Sequence, residues 1–139
     1  MSAAIDWPPS LWAAVTPPGP ALPALRGAAT ADVVVIGAGF TGLSAALHLA
    51  RAGRDVVVVE AKEPGWGASG RNNGQVIPTL SRPDPDDIIK RHGAAGERFV
   101  DLLRDSASLL FELVRAENIA CEAEQSGWVQ PAHTPGRMQ

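Results

Sequence analysis

The chain has 139 residues, the length of one ordinary domain, and its 45% hydrophobic and 19% charged residues fit a globular protein rather than a disordered or fibrous one. Twelve Lys and Arg against fifteen Asp and Glu leave a net charge of -3, which argues against a nucleic-acid partner or an anionic membrane surface, since both require a basic face. The single cysteine, Cys121, excludes an internal disulfide, no Cys/His spacing suggests a metal site, and no uncharged apolar run reaches the roughly 18 residues a transmembrane segment needs.

Residues 1–29 are rich in Pro and Ala and lack the basic start of a signal peptide. They read as an irregular Pro-rich arm on the surface, with Trp7 and Trp12 packed against the body. A reducing, cytoplasmic compartment is expected. Regular structure should begin at Asp32. "ADVVVIGAG" is a continuous β-branched run bounded by glycine, the pattern of a parallel strand buried on both faces. "GLSAALHLARAG" follows, with Leu43, Ala46, Leu47 and Ala50 at helical spacing and Gly53 as a stop. "RDVVVVEA" is a second buried strand ending near Glu60, so the segment predicts one βαβ unit.

Farther on, Asp84 and Pro85 make an N-cap and first helical position, and Gly93 a stop. A longer helix is predicted from about Glu97 to Glu117, with an apolar stripe of Phe99, Leu102, Leu103, Leu110, Leu113 and Val114. "IACEAEQSGWVQPAH" alternates loosely around Gly127 and reads as two short strands with a turn at Ser126-Gly127. The expected fold class is therefore α/β: a βαβ unit, incomplete, followed by helices and a short β segment. One βαβ unit leaves much of its own sheet uncovered, so the chain is expected to be the N-terminal piece of a longer protein.

Gly37-Ala38-Gly39-Phe40-Thr41-Gly42 is a G-x-G-x-x-G between strand and helix. Gly37 permits the tight turn, Gly39 lets a pyrophosphate approach the backbone, and Gly42 lets helix and strand pack closely. The phosphates then meet the helix N-terminus, whose free N–H groups and dipole favour anions. Glu60, eighteen positions after Gly42, is placed to accept hydrogen bonds from ribose hydroxyls, and its charge disfavours a 2′-phosphate. The βαβ unit is therefore expected to be Rossmann-like and FAD/NAD(P)-binding; NAD and FAD share the adenosine diphosphate that this motif reads, so the fingerprint leaves the two open. A second cluster, "GWGASGRNNGQ" from Gly65 to Gln75, favours FAD, whose extended ribityl chain and ring need further donors beyond the first loop. Arg71 reads equally as a phosphate or structural contact and as a solvated charge.

With "VVVIGAGFTGLSAALHLARAG" and "VVVVEAKEPGWGASGRNNGQVIP" the chain resembles the D-amino-acid oxidase-like (DAO) family of FAD-dependent oxidoreductases, and within it the branch containing gamma-glutamylputrescine oxidoreductase. The "SLWAA…PP" arm and "SGWVQPAH" are similar to that branch as well. The resemblance implies that Gly37, Gly39, Phe40, Thr41 and Gly42 line the FAD pyrophosphate. It places Glu60, Ala61 and Lys62 at the adenosine ribose, and Gly67, Ala68, Ser69, Arg71, Asn72, Asn73, Gly74 and Gln75 along FAD toward the flavin. Asn73 stands where the common pattern has a second glycine, and Asn tolerates a left-handed backbone better than most residues.

The resemblance further implies oxidation of an amine or amino acid by hydride transfer to flavin N5, with electrons passed to oxygen or another acceptor. The FAD-binding unit and second loop then occupy 30–80, and 81–139 holds a helical segment and the start of the substrate-side β region. No residue is assigned a catalytic role, and no metal is expected. His48 reads as a surface or packing residue, His92 and His133 lack partners in sequence reach, and Cys121 reads as a buried or half-buried structural thiol. Two other readings stay open, an NAD-binding dehydrogenase domain and a non-catalytic nucleotide-binding fragment. The chain by itself is expected to oxidise no amine.

Overall fold

The computed structural model describes residues 6–80, 83–129 and 131. The chain divides into two compact units, residues 1–74 and 75–139. The first holds α1 (Leu11–Val15), β1 (Val33–Ile36), α2 (Phe40–Arg51), β2 (Val56–Val59) and a 3-10 turn at Ala68–Gly70. The second holds α3 (Pro85–His92) and α4 (Ala94–Ala116).

The arm expected to be irregular contains the one-turn helix α1. Ser10 caps it, its hydroxyl accepting from the Ala13 N–H at 3.2 Å. Pro17 and Pro18 forbid its extension, because the residue before a proline is pushed out of the helical region. Strands β1 and β2 lie parallel, Val33 opposite Val56 and Ile36 opposite Val59, with α2 as the crossover.

Burial on both faces of this sheet does not occur. Burial alternates along β1, and Val34 and Ile36 stand 58% and 88% exposed. On that side Leu25 and Ala29 of the arm, with Thr30 and Ala31 after it, border Val34, Val57 and Val59 in a shallow recess. Two short parallel strands need a layer on each face, and the described part of this unit lays one helix on one of them. Within α2 the half-buried residues are Gly42, Ala46, Leu47 and Leu49, whereas Leu43 and Ala50 are exposed. Gly42 sets this rotation by packing on Val35, and positions 46 and 49 follow it at helical spacing. The helix stops as expected: Gly53 takes φ +76°, and the Arg54 N–H closes back on the Leu49 carbonyl at 3.0 Å.

In the second unit Asp84 caps α3, its Oδ1 accepting from the Asp86 N–H at 3.1 Å, with Pro85 at the first helical position. Asp86 and Asp87 open this helix and Lys90, Arg91 and His92 close it, complementing its dipole. Gly93, at φ +54°, turns the chain directly into α4, so that helix starts at Ala94, ahead of the expected Glu97. Gly96 is buried where α4 meets α3: a Cβ there would come within 2.6 Å of the Ile88 carbonyl oxygen and 2.9 Å of Ile89 Cα.

The covered face of α4 is Gly96, Val100, Leu103, Ala107, Phe111 and Val114, at spacings of four and three, with Leu113 half-buried beside it. Leu103, Leu113 and Val114 of the predicted stripe are half-buried, whereas Phe99, Leu102 and Leu110 are exposed and Phe111, only 9% exposed, lies outside that stripe. The close approach at Gly96 selects which of two adjacent apolar rows turns inward. Of the expected short β segment, the described residues 119–129 form no strand, and most of the remainder lies outside the described residues. No other strand of this unit lies among the described residues to pair with them. With no sheet to cover it, Cys121 is exposed rather than buried or half-buried. No helix among the described residues is long and apolar enough to cross a membrane, and His133 lies outside them.

Candidate functional site: two glycine clusters at one helix end

The first glycine cluster forms the turn from β1 into α2. Gly37 has φ +100° with open space around it, so its requirement is conformational freedom. Gly42 is held by space: a Cβ would collide with the Gly37 carbonyl oxygen and lie 3.2 Å from Val35 Cγ1. Between them Ala38 is 2% exposed, the most completely buried apolar residue described. Its N–H donates to Glu60 Oε2 at 2.8 Å, and its carbonyl accepts from the Gly65 N–H at 3.0 Å. One buried residue of the first loop thus ties down the end of β2 and the start of the second cluster.

Glu60 is set between two loops, its Oε1 accepting from the Lys62 N–H at 3.0 Å. The Ala38 N–H most of all, then that of Lys62, holds its carboxyl below the usual glutamate range; the small cost of burial opposes them, and the Ala61 N–H adds to them. Because the folded pKa is below the unfolded one, the resulting stabilisation is complete above the ordinary glutamate value of about 4.3 and is lost as pH falls through the folded value. Glu60→Gln should therefore melt below the parent at pH 7, with the gap narrowing on acidification. Thermal midpoints across pH check this, and a gap independent of pH would contradict it.

The second cluster folds back onto the same helix end. The N-cap of α2 is Gly39, which has no side chain to cap it. Instead the Phe40 N–H donates to Ser69 Oγ at 3.0 Å. A Cβ on Gly39 would sit 2.9 Å from that oxygen, so the second cluster already crowds the position where the first dispenses with a side chain. The 3-10 turn carrying Ser69 is compact because Gly70 packs on the Gly65 carbonyl, which a Cβ would strike. Asn72 braces it, Nδ2 donating to the Ser69 carbonyl at 2.6 Å and Oδ1 accepting from the Gly74 N–H at 2.7 Å.

Arg71 makes structural contacts: Nε donates to the Gly67 carbonyl at 3.1 Å, and its guanidinium lies 5.4 Å from the centre of the Trp66 ring. Lys62 Nζ lies 5.6 Å from the same ring. Asn73 is not left-handed; the positive φ, +74°, falls on Gly74, so the change from glycine at 73 needs no special tolerance.

Gly37, Gly39, Phe40, Thr41, Gly42, Glu60, Ala61, Lys62 and the 67–74 residues all belong to the first unit, whereas Gln75 opens the second. Sequence reasoning passed over Ala38 and Gly65, which carry the central backbone contact. It also placed Trp7 and Trp12 against the body without locating where. Gly65 was legible as part of the cluster, but nothing local marks the x of a G-x-G as the most buried position. His48 is exposed near the end of α2 and His92 ends α3. Among the described residues no group of three or more His, Cys, Asp or Glu is placed to hold a metal ion.

This geometry suits a dinucleotide. The first-turn N–H groups of α2 have no helical partners, the N-cap adds no side chain, and one oxygen, Ser69 Oγ, already accepts from the Phe40 N–H there. A carboxylate stands at the end of the neighbouring strand. Anionic oxygens at the helix end and hydroxyls at the carboxylate are what such donors and acceptors recognise.

The class defined in this way is a dinucleotide-binding βαβ unit with a second glycine loop. Comparison with known proteins narrows it: the family model described as FAD dependent oxidoreductase, DAO, matches residues 32–139. The chain belongs to that family. It is 44% identical over 99 residues, 70% of this chain, to the gamma-glutamylputrescine oxidoreductase of Escherichia coli (strain K12), 23% of which is covered. It is 50% identical over 66 residues, 48% of this chain, to the "Probable oxidoreductase OrdL" of Rhizobium meliloti (strain 1021), covering 15% of it. A protein of the same name from Haemophilus influenzae is 40% identical over 93 residues, 66% of this chain and 21% of that one. The chain therefore spans less than a quarter of the length of these relatives. No solved structure matches it.

Proposed function

We propose that this chain is the N-terminal FAD-binding part of an oxidoreductase that acts on an amine or amino acid, a substrate of the gamma-glutamylputrescine type or a relative of it. The observation that carries the cofactor choice is the joining of the two glycine clusters at one helix end, through Phe40 N–H to Ser69 Oγ and Gly65 N–H to Ala38 O. A nicotinamide dinucleotide has no need of a second loop there; an extended flavin dinucleotide does. In this reading Gly37, Gly39, Phe40, Thr41 and Gly42 receive the pyrophosphate. Glu60, with Ala61 and Lys62 beside it, accepts from the ribose. Gly67, Ala68, Ser69, Arg71, Asn72, Asn73, Gly74 and Gln75 follow the cofactor toward its ring. When bound, FAD supplies the hydride acceptor, flavin N5, and oxygen or another acceptor takes the electrons onward. The amine specificity rests on likeness to the Escherichia coli relative.

Titration of the chain with FAD and with NAD, read by quenching of flavin fluorescence and by calorimetry, tests the cofactor. FAD should bind and NAD should not, and Gly39→Val should weaken FAD about tenfold or more, because its side chain enters the space at the helix end. Tight NAD binding with no FAD binding would overturn the assignment.

A further inference from the structure

The second glycine segment is held from outside by the N-terminal arm. Trp7 Nε1 donates to Glu63 Oε2 at 3.2 Å, the Ser10 hydroxyl donates to the Gly70 carbonyl at 3.2 Å, and Trp12 Nε1 donates to the Asn72 carbonyl at 2.7 Å. In the reverse direction Trp66 Nε1 donates to the Asp6 carbonyl at 3.0 Å. The Trp12 ring also lies on Gly74, where a Cβ would come within 2.5 Å of Cζ2 and 3.0 Å of Cη2.

A segment with four glycines in eleven residues loses much backbone entropy on ordering, so its shape must be imposed by contacts. The shortest of the anchoring bonds is the one from Trp12, and it continues inward. Trp12 Nε1 holds the Asn72 carbonyl, Asn72 Nδ2 holds the Ser69 carbonyl, and Ser69 Oγ receives the Phe40 N–H. Three hydrogen bonds thus lead from the one-turn helix of the arm to the N-terminus of α2. Trp12 makes its contacts on Asn72 and Gly74, away from the α2 turn.

We propose that Trp12 is a positioning residue of the cofactor site, fixing the second glycine segment so that Ser69 and its neighbours stand at the end of α2. The proposal rests on the FAD reading above. It makes the arm a working part of the site, and it accounts for the lack of a side chain at Gly74: the left-handed turn there must also admit an indole.

Trp12→Phe keeps a ring against Gly74 and removes only the N–H, while Trp12→Ala removes both; Trp128→Phe, in the second unit, is the control. Two readouts are followed in the whole chain: the rate of tryptic cleavage after Arg71, measured without FAD, and the dissociation constant for FAD. Trp12→Phe should speed cleavage at Arg71 and weaken FAD about tenfold with far-UV circular dichroism unchanged, Trp12→Ala should do more of both, and Trp128→Phe should do neither.

Trp12→Phe with parental protection at Arg71 and parental FAD affinity would overturn the proposal and leave the FAD reading intact. If the parent itself takes up no FAD, the FAD reading fails, and unchanged cleavage at Arg71 would overturn the positioning role separately. If the Trp12 variants do not fold, the parent decides. FAD should shift the indole Nε1–H resonance of Trp12, assigned by elimination with Trp7→Phe, Trp66→Phe and Trp128→Phe, because a contact that shapes the site is in turn stabilised by the ligand. A resonance unmoved at saturation would overturn the proposal.

Discussion

Gly42→Ala should destabilise the first unit by about 2–3 kcal/mol, the upper range for forcing a methyl into a packed position. The added Cβ would meet the Gly37 carbonyl oxygen, a backbone atom of the very turn whose shape defines the site, with Val35 Cγ1 at 3.2 Å behind it. A flexible side chain could swing aside, whereas this carbonyl belongs to a residue at φ +100° whose N–H is bonded to the Val59 carbonyl at 2.8 Å. Helix propensity favours Ala over Gly by about 1 kcal/mol and offsets part of the clash, so the net loss measures how rigid the turn is. Gly19→Ala is the comparison, since Gly19 has nothing within 4 Å and no positive φ; it should change stability by no more than about 0.5 kcal/mol. Urea denaturation of the three proteins checks the prediction, and equal midpoints for Gly42→Ala and the parent would refute the packing described.

Gly96→Val is expected to be comparably damaging in the second unit, at about 3 kcal/mol. There the obstruction is the backbone of α3, with Ile88 O at 2.6 Å, Ile89 Cα at 2.9 Å and Ile88 C at 3.0 Å from the new Cβ. The helices must separate, which exposes the face of α4 they cover, and a β-branched side chain brings little helix propensity in return. Ala95→Val, one position away on an exposed part of the same helix, should cost only the propensity difference, about 0.5 kcal/mol. Similar losses from the two substitutions, read by the far-UV signal during denaturation, would show that α3 and α4 are not in close contact at Gly96.

Such contrasts show where reading a sequence reaches and where it stops. Signals confined to a few neighbouring residues translate directly into structure. The run Val33–Ile36 is a strand, Gly53 ends α2 in a left-handed turn, and Asp84, Pro85 and Gly93 frame α3 to the residue. The rotation of each helix does not follow from periodicity alone. Two apolar rows run along α4, and a glycine against α3 selects the row containing Phe111 over the row containing Phe99 and Leu102. Cys121 departs from expectation for a related reason: loose alternation buries a side chain only where a partner strand covers it, and no strand of this unit lies among the described residues.

The local frame of the candidate site was legible in the linear order of residues. Glycines at 37, 39 and 42 between a β-branched run and a helix, with Glu60 at the next strand end, specify a turn, a free helix terminus and an acceptor, because each demand is local to the backbone. That the second cluster closes on the same terminus is a different kind of fact. Ser69 reaches the Phe40 N–H from 29 residues away and Trp12 reaches Asn72 from 60 away. Contacts at such separations depend on the direction in which the chain leaves β2 and on where the arm is laid, and no spacing between neighbouring residues encodes either.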